Sequence, residues 1–441
     1  MAVAETLALR ARSVARSGIS PGPAALALAV PFLFLHIKYQ PGVRVRLGST
    51  HLGLEASDVA VVVVALVALR EGLRAGFAPL RPALPLWIAS AALIVWIFIR
   101  SGSLEHFVTA AKFSEYAMLA ISAPLILRRR TDWELVAAAV VAWSVVATCF
   151  GLLQFFGVDM AEAWAAGRRQ PSFLGHSDFA ALSALALGIG LAGVLLAGKR
   201  IGWAAVASGG IGLILSGATA GLIGIAAGVV GFLYAVSRRR RLALRDVAVS
   251  AIVVAVVAAG VLVLRAGDFE NFLRFAHLKG KETQTADIQT YSHHTLLAYI
   301  GYRIWRDHPI AGAGWQASTD PVVVDPQLPA ARKKFPDVSP LAFPTRAHEW
   351  GVQNAYVQAA ADLGLIGLVL WLAPFALALV LALRANAPPG AVAAFAILAA
   401  MGIWGGQGLV AGIPLDAVTW LGFGLAATAA AQRSQAPPQG K

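Results

Sequence analysis

The chain has 441 residues, 58% hydrophobic and 13% charged, with a mean hydropathy of +0.70 and a net charge of +13. A soluble domain carries roughly a quarter charged residues, so a soluble enzyme is excluded and a polytopic membrane protein is expected. The basic balance does not point to nucleic acid, because Lys and Arg fall in alternate loops, and the single Cys149, inside an apolar run, excludes an intrachain disulfide and a thiolate metal site.

Residues 1–20 carry Arg10, Arg12 and Arg16, and no small-residue cleavage site follows the first apolar run, so that run is expected to be a retained signal anchor. Twelve apolar segments can be drawn, at 22–39, 57–73, 84–100, 107–127, 133–156, 178–197, 201–216, 218–236, 246–264, 364–383, 389–409 and 413–431. Each is expected to be helical, since lipid leaves the backbone no other partner. With a cytoplasmic N-terminus, the inner segments hold nineteen Lys and Arg and the short outer loops six. This asymmetry predicts an all-α polytopic membrane protein of about twelve transmembrane helices, both termini cytoplasmic. Residues 1–264 then hold helices one to nine. Residues 265–363 form a large extracytoplasmic loop with amphipathic helices and a lid, and 364–441 hold the last three helices and a cytoplasmic tail.

The fourth segment places Lys112 and Glu115 on one helix face near the outer surface, where they can pair or snorkel. Arg168 and Arg169 sit outside against the general trend, just before a helix that Ser177 or Asp178 can cap. Such a helix start favours an anion, and a plain interfacial turn is the competing reading. Residues 288–306 put Leu297, Ile300 and Ile304 on one stripe of an amphipathic helix, which Asp307-His308-Pro309 stops. Gly312, Gly314 and Trp315 make a tight turn. The prolines from Pro321 to Pro344 then predict an irregular, mobile lid over 316–345. The adjacent His293 and His294 lack metal-ligand spacing, and no phosphate loop, nucleophile elbow or dinucleotide fingerprint occurs. From Thr345 to Gly367 a polar cluster of Arg346, His348, Glu349, Gln353 and Asn354 passes directly into an apolar helix. That arrangement places hydrogen-bonding groups at a membrane surface.

Three stretches resemble the O-antigen ligase / O-antigen polymerase superfamily of bacterial membrane glycosyltransferases. Arg169…Phe173-Leu-Gly-His-Ser-Asp-Phe-Ala180 is similar to the family's Arg…Gly-x-Phe-x-(Asn/His)-Pro-Asn-x-x-Ala. Tyr302-Arg-Ile-Trp-Arg-Asp-His-Pro-Ile-Ala-Gly-Ala-Gly-Trp315 resembles its amphipathic helix ending in Asp-His-Pro-x-x-Gly-x-Gly. Gln353-Asn-Ala-Tyr-Val-Gln…Asp362-Leu-Gly-Leu-Ile-Gly367 resembles its His-Asn-x-Tyr-Leu-Gln…Glu-Leu-Gly-Leu-Ile-Gly.

The resemblance implies a glycosyltransferase C-like membrane enzyme at the outer face of the bacterial inner membrane. It implies a polyprenyl-diphosphate-linked glycan donor and a lipid-anchored or glycan acceptor, among membrane lipids and without nucleic acid. It also implies no metal or other cofactor: arginines neutralise the diphosphate and a histidine activates the acceptor hydroxyl. A ligase leads, with a polymerase of the same superfamily as the alternative. A transporter or flippase would instead gather its polar groups at the bilayer midplane and show internal repeats. Two positions depart from the pattern. Gln353 stands where the family often has His, and His294 stands where an arginine usually opens the amphipathic helix. His348 and Glu349 are therefore expected to be catalytic, with His176 and His294 competing as base. Arg168, Arg169, His176, Asp178, His294, Arg303, Arg346, Gln353 and Asn354 are expected to bind substrate.

Overall fold

A computed structural model describes residues 20–47, 50–279, 290–346, 348–385, 387–409 and 413–435. Arg10, Arg12 and Arg16 of the expected anchor, and the first two residues of the expected 288–306 helix, lie outside them. The elements run α1 Pro21–Leu33, β1 Gly42–Leu47, β2 Thr50–Glu55, α2 Ala56–Ala75, α3 Leu84–Ile99, α4 Leu104–Glu115, α5 Ala117–Ile126, α6 Arg130–Phe155 and α7 His176–Leu191. They continue with α8 Gly202–Ser216, α9 Thr219–Ser237, α10 Leu244–Leu264, α11 Ala266–Phe275, α12 Thr290–Asp307, α13 Pro321–Val324 and α14 Leu328–Lys334. The last three are α15 Ala355–Arg384, α16 Pro388–Trp404 and α17 Ile413–Gln435.

Helix occupies every apolar segment read from the sequence, the fourth as the pair α4 and α5. Among the described residues, seven helical stretches are long and apolar enough to cross a membrane, and three shorter apolar helices accompany them. The chain is thus a nearly all-α, multi-pass membrane protein. One hairpin departs from the all-helical expectation: β1 and β2 pair antiparallel, Gly42 opposite Glu55 through Leu47 opposite Thr50. The alternation Val43-Arg44-Val45-Arg46 carries the two-residue period of a strand. Lys112 pairs across helices, for its Nζ reaches Glu55 Oε2 at 2.6 Å and Asp58, tying α4 to the start of α2.

Small residues let the central helices touch backbone to backbone, the usual solution where lipid removes the hydrophobic drive between helices. A Cβ on Gly224 of α9 would meet Ala399 O at 2.7 Å and Gly402 Cα at 2.8 Å on α16. A Cβ on Gly209 of α8 would meet Ser183 O at 2.6 Å on α7.

Outside the helix bundle, Leu296, Ile300 and Ile304 of α12 pack with Val324, Ala331, Val338, Ala342 and Phe343 into a second apolar core. The segment expected to be irregular therefore forms a packed lobe. Pro321, Pro326, Pro329 and Pro340 sit in the first turns of short helices, where a missing N–H removes no hydrogen bond.

A strap joins this lobe to α15. Ala313 N donates to Ala361 O and Gly314 N to Asp362 O, both at 2.9 Å. In return Leu365 N donates to Pro309 O at 2.9 Å and Ile366 N to Ile310 O at 3.2 Å. The exchange needs a break in the helix, and Gly364 provides it with φ 69° and ψ −170°. Any side chain there would strike the Ile310 carbonyl. Arg100 at the end of α3 fastens the same strap, its Nη2 donating to Gly312 O at 2.9 Å and its carbonyl accepting from Trp315 N at 2.9 Å.

Candidate active site

A cavity of about 1000 Å³ lies where α7, α9, α11 and α12 meet the 316–319 turn, residues 351–353 and the 405–408 loop after α16. One end of it is strongly basic. Gly217, in the left-handed conformation between α8 and α9, leaves room for two arginines, since a Cβ there would meet Arg169 Cβ at 2.9 Å and Arg265 Cδ at 3.2 Å. Arg265 is only 3% exposed. Its Nη1 donates to Gly217 O at 2.9 Å, its Nε lies 2.5 Å from Asp268 Oδ2, and its Nη2 has no hydrogen-bond partner. Its guanidinium lies 5.2 Å from the centre of the Tyr291 ring. The Arg169 guanidinium lies 4.3 Å from the centre of the Trp164 ring. Burial, and then Arg265, pull the Arg169 pKa down to about 10, which still leaves it charged at neutral pH.

The first turn of α9, Thr219 to Ile223, also lines the cavity, and its N-cap Ala218 has no side chain to satisfy the free N–H groups. Those donors and the positive helix end add to the two guanidiniums. A buried, unpaired arginine donor beside a bare helix start is a site for an anion such as a diphosphate.

Three histidines line the same space, His36, His176 and His294. His294 and Tyr291 share one face of α12, and the Tyr291 hydroxyl donates to Thr219 Oγ1 at 3.0 Å. Burial first, then His293 and the charges of Arg265 and Arg169, lower the His294 pKa to about 4, so its imidazole is neutral at working pH. His176 opens α7 and lies edge-on to the Trp164 ring at 4.6 Å, with Asp178 two residues on. Amides complete the polar wall. Gln358 Oε1 accepts from Leu409 N at 2.6 Å and its Nε2 donates to Asp362 Oδ2 at 3.0 Å. Asp362, fully buried, accepts from Ser318 N at 2.8 Å and so holds the turn that carries Gln316. Apolar lining comes from Leu222, Ile223, Phe269, Phe272 and Ile403, with Ile223 78% exposed.

Of the residues singled out in the sequence, Arg169, His176, Asp178, His294 and Gln353 line this cavity together. The others do not. Arg168 is exposed. Arg303 follows His294 by nine residues, about two and a half helical turns, so it faces the far side of α12 and donates to Gln327 Oε1 at 2.8 Å. Arg346, His348 and Glu349 are exposed on a turn closed by mutual 3.0 Å backbone hydrogen bonds of Thr345 and His348. Asn354 caps α15, its Oδ1 accepting from Tyr356 N and Val357 N at 3.1 Å and its Nδ2 donating to Gly405 O at 2.9 Å. Sequence reasoning missed Arg265, Tyr291 and the α9 start. The signal for Arg265 was present, since it is a lone arginine at the end of a 21-residue apolar helix, just as Arg169 precedes one.

Among the described residues, no group of three or more His, Cys, Asp or Glu is placed to hold a metal ion. Residues 204–372 match the family model described as O-antigen ligase, a stretch that runs from α8 through α12 into the upper part of α15. No curated protein matches the chain.

Proposed function

From its membership of the O-antigen ligase / O-antigen polymerase superfamily through residues 204–372, we propose that this chain transfers a glycan from a polyprenyl-diphosphate carrier to a hydroxyl of a lipid-anchored or glycan acceptor. The reaction takes place at the outer face of the bacterial inner membrane. The observation that carries the proposal is the meeting, in one cavity, of two half-buried or buried guanidiniums, a bare helix start and a neutral imidazole.

The diphosphate seats between Arg169, Arg265 and the first turn of α9. Guanidinium pairs with phosphate oxygens two at a time and stays charged. The polyprenyl chain leaves along Leu222, Ile223, Phe269 and Phe272 toward the lipid. An acceptor hydroxyl beside His294 attacks the anomeric carbon as the bond to the diphosphate breaks. The imidazole takes the hydroxyl proton, and the departing polyprenyl diphosphate keeps the electron pair. Arginines already in place stabilise that growing charge without reorganising. His294 replaces His348 as the proposed base because it lines the cavity and His348 does not.

A general base contributes about a hundred- to ten-thousand-fold in rate. In purified protein supplied with polyprenyl-diphosphate-linked glycan, His294→Ala is expected to lose transfer by that factor while still binding donor. His348→Ala is expected to keep most of its turnover. The reverse pattern would move the base to His348, and loss only in His176→Ala would move it to the start of α7.

A further inference from the structure

The turn that carries Thr345, Arg346, His348, Glu349 and Trp350 has no part in the chemistry above, yet its side chains and backbone are held in place. Trp350 is wedged between two imidazoles. His293, buried, meets it edge-on at 5.0 Å, and His348, exposed, lies nearly parallel to it at 5.8 Å and 23°. The backbone pairing of Thr345 with His348 fixes the turn, and a further 2.9 Å bond from Trp350 N to His348 O tightens it. His348 therefore presents a flat ring stacked on Trp350. On either side stand an exposed guanidinium, Arg346, and an exposed carboxylate, Glu349, and neither forms an ion pair among the described residues.

The turn borders the cavity on two counts. The next residues, Gly351, Val352 and Gln353, are cavity wall, and His293 precedes the cavity residue His294. Gly351 also lies tight against Thr319, another lining residue, where a Cβ would meet Thr319 Cγ2 at 2.8 Å.

We propose that Arg346, His348, Glu349 and Trp350 form an outer subsite for a run of sugar residues, the part of the glycan beyond the unit that reacts. A pyranose offers an apolar C–H face and pairs of neighbouring hydroxyls. A held aromatic ring matches the first, and the planar guanidinium and carboxylate match the second two bonds at a time. Aromatic rings give such contact area at little entropic cost because few torsions are frozen. The subsite rests on the glycan-transfer reading for its ligand, and it gives the chain a means of holding long glycans more firmly than short ones.

The test measures binding alone, so that it stands apart from transfer. Glycan is released by mild acid from the cell's own polyprenyl-diphosphate pool, sized, and titrated into the full-length protein in lipid nanodiscs. The parent protein is expected to bind long fractions more tightly than the shortest one. The triple variant Arg346→Ala, His348→Ala, Glu349→Ala is expected to bind long fractions about tenfold more weakly and the shortest fraction as before. All three positions are exposed, so the variant is expected to fold, and the milder Glu349→Gln with Arg346→Gln should give a smaller shift in the same direction. Equal binding of long fractions by parent and triple variant would overturn the proposal. So would a parent that binds all lengths alike, or a triple variant whose only loss is affinity for anionic lipid vesicles. Absence of glycosyl transfer in the parent, with length-dependent binding intact, would count against the transfer reading and leave the subsite standing.

Discussion

Arg265 and His294 are coupled through charge, and that coupling has a measurable sign. The His294 pKa is lowered to about 4, first by burial and then by His293 and the two guanidiniums. A general base works unprotonated, so transfer by the free enzyme should fall only as pH drops through about 4. Donor diphosphate would offset the charges of Arg265 and Arg169 and let the imidazole hold a proton more readily. The acid limb of kcat should therefore lie at higher pH than that of kcat/KM. Parallel pH profiles check this, and coincident limbs would count against a diphosphate between those arginines. Arg265→Lys keeps the charge but loses the fork that bonds Gly217 O through Nη1 and leaves Nη2 free. It is expected to cost roughly a hundredfold in kcat/KM, the scale for losing one aligned donor in a site of this kind. At this scale the sequence was only half legible. Gln353 and Asn354 are neighbours, yet one lines the cavity and the other caps a helix. Side-by-side residues at a helix start point in unrelated directions, and no spacing rule announces which one turns inward.

Elements were far more legible, for a physical reason. A bilayer demands about twenty apolar residues in a row, and every stretch of that kind here became helix. The hairpin at Gly42–Glu55 escaped because six-residue strands offer too little pattern against long hydrophobic runs. The 316–345 lobe escaped because prolines read as breakers, although at the first turn of a helix they are compatible with it. Packing between elements gives two further predictions. Gly402→Leu would drive a side chain into the Gly224 backbone, and overpacking of this sort costs about 1–3 kcal/mol. Thermal unfolding in detergent should show it as a lower midpoint. Gly364→Ala meets both a left-handed φ and the Ile310 carbonyl. It should destabilise by more than about 1 kcal/mol and expose the lobe to protease, a result that limited proteolysis reads directly.

Over the whole molecule, the nineteen-to-six bias of Lys and Arg predicts the orientation of the proposed enzyme. A reporter fused near Arg240 should read cytoplasmic and one near Asp320 extracytoplasmic. A cytoplasmic Asp320 would put the cavity on the wrong side for the proposed donor. The cavity itself draws residues from His36 to Gly408, nearly the full length of the chain. The strap adds an order to this in time. A chain is made from its N-terminus, so in the proposed orientation residues 309–314 cross the membrane before their hydrogen-bond partners at 361–366 can join them. Until α15 is inserted, Arg100 alone holds the strap, Ala313 and Gly314 lack the carbonyls of Ala361 and Asp362, and the turn bearing Gln316 lacks the Asp362 that holds it. The lobe, the amide wall and the 405–408 loop thus reach their places only as synthesis ends. If the proposed orientation and donor hold, a nascent chain passes through much of its production with the arginines outside but the pocket around them unmade, unable to commit a donor before it can protect the donor from water.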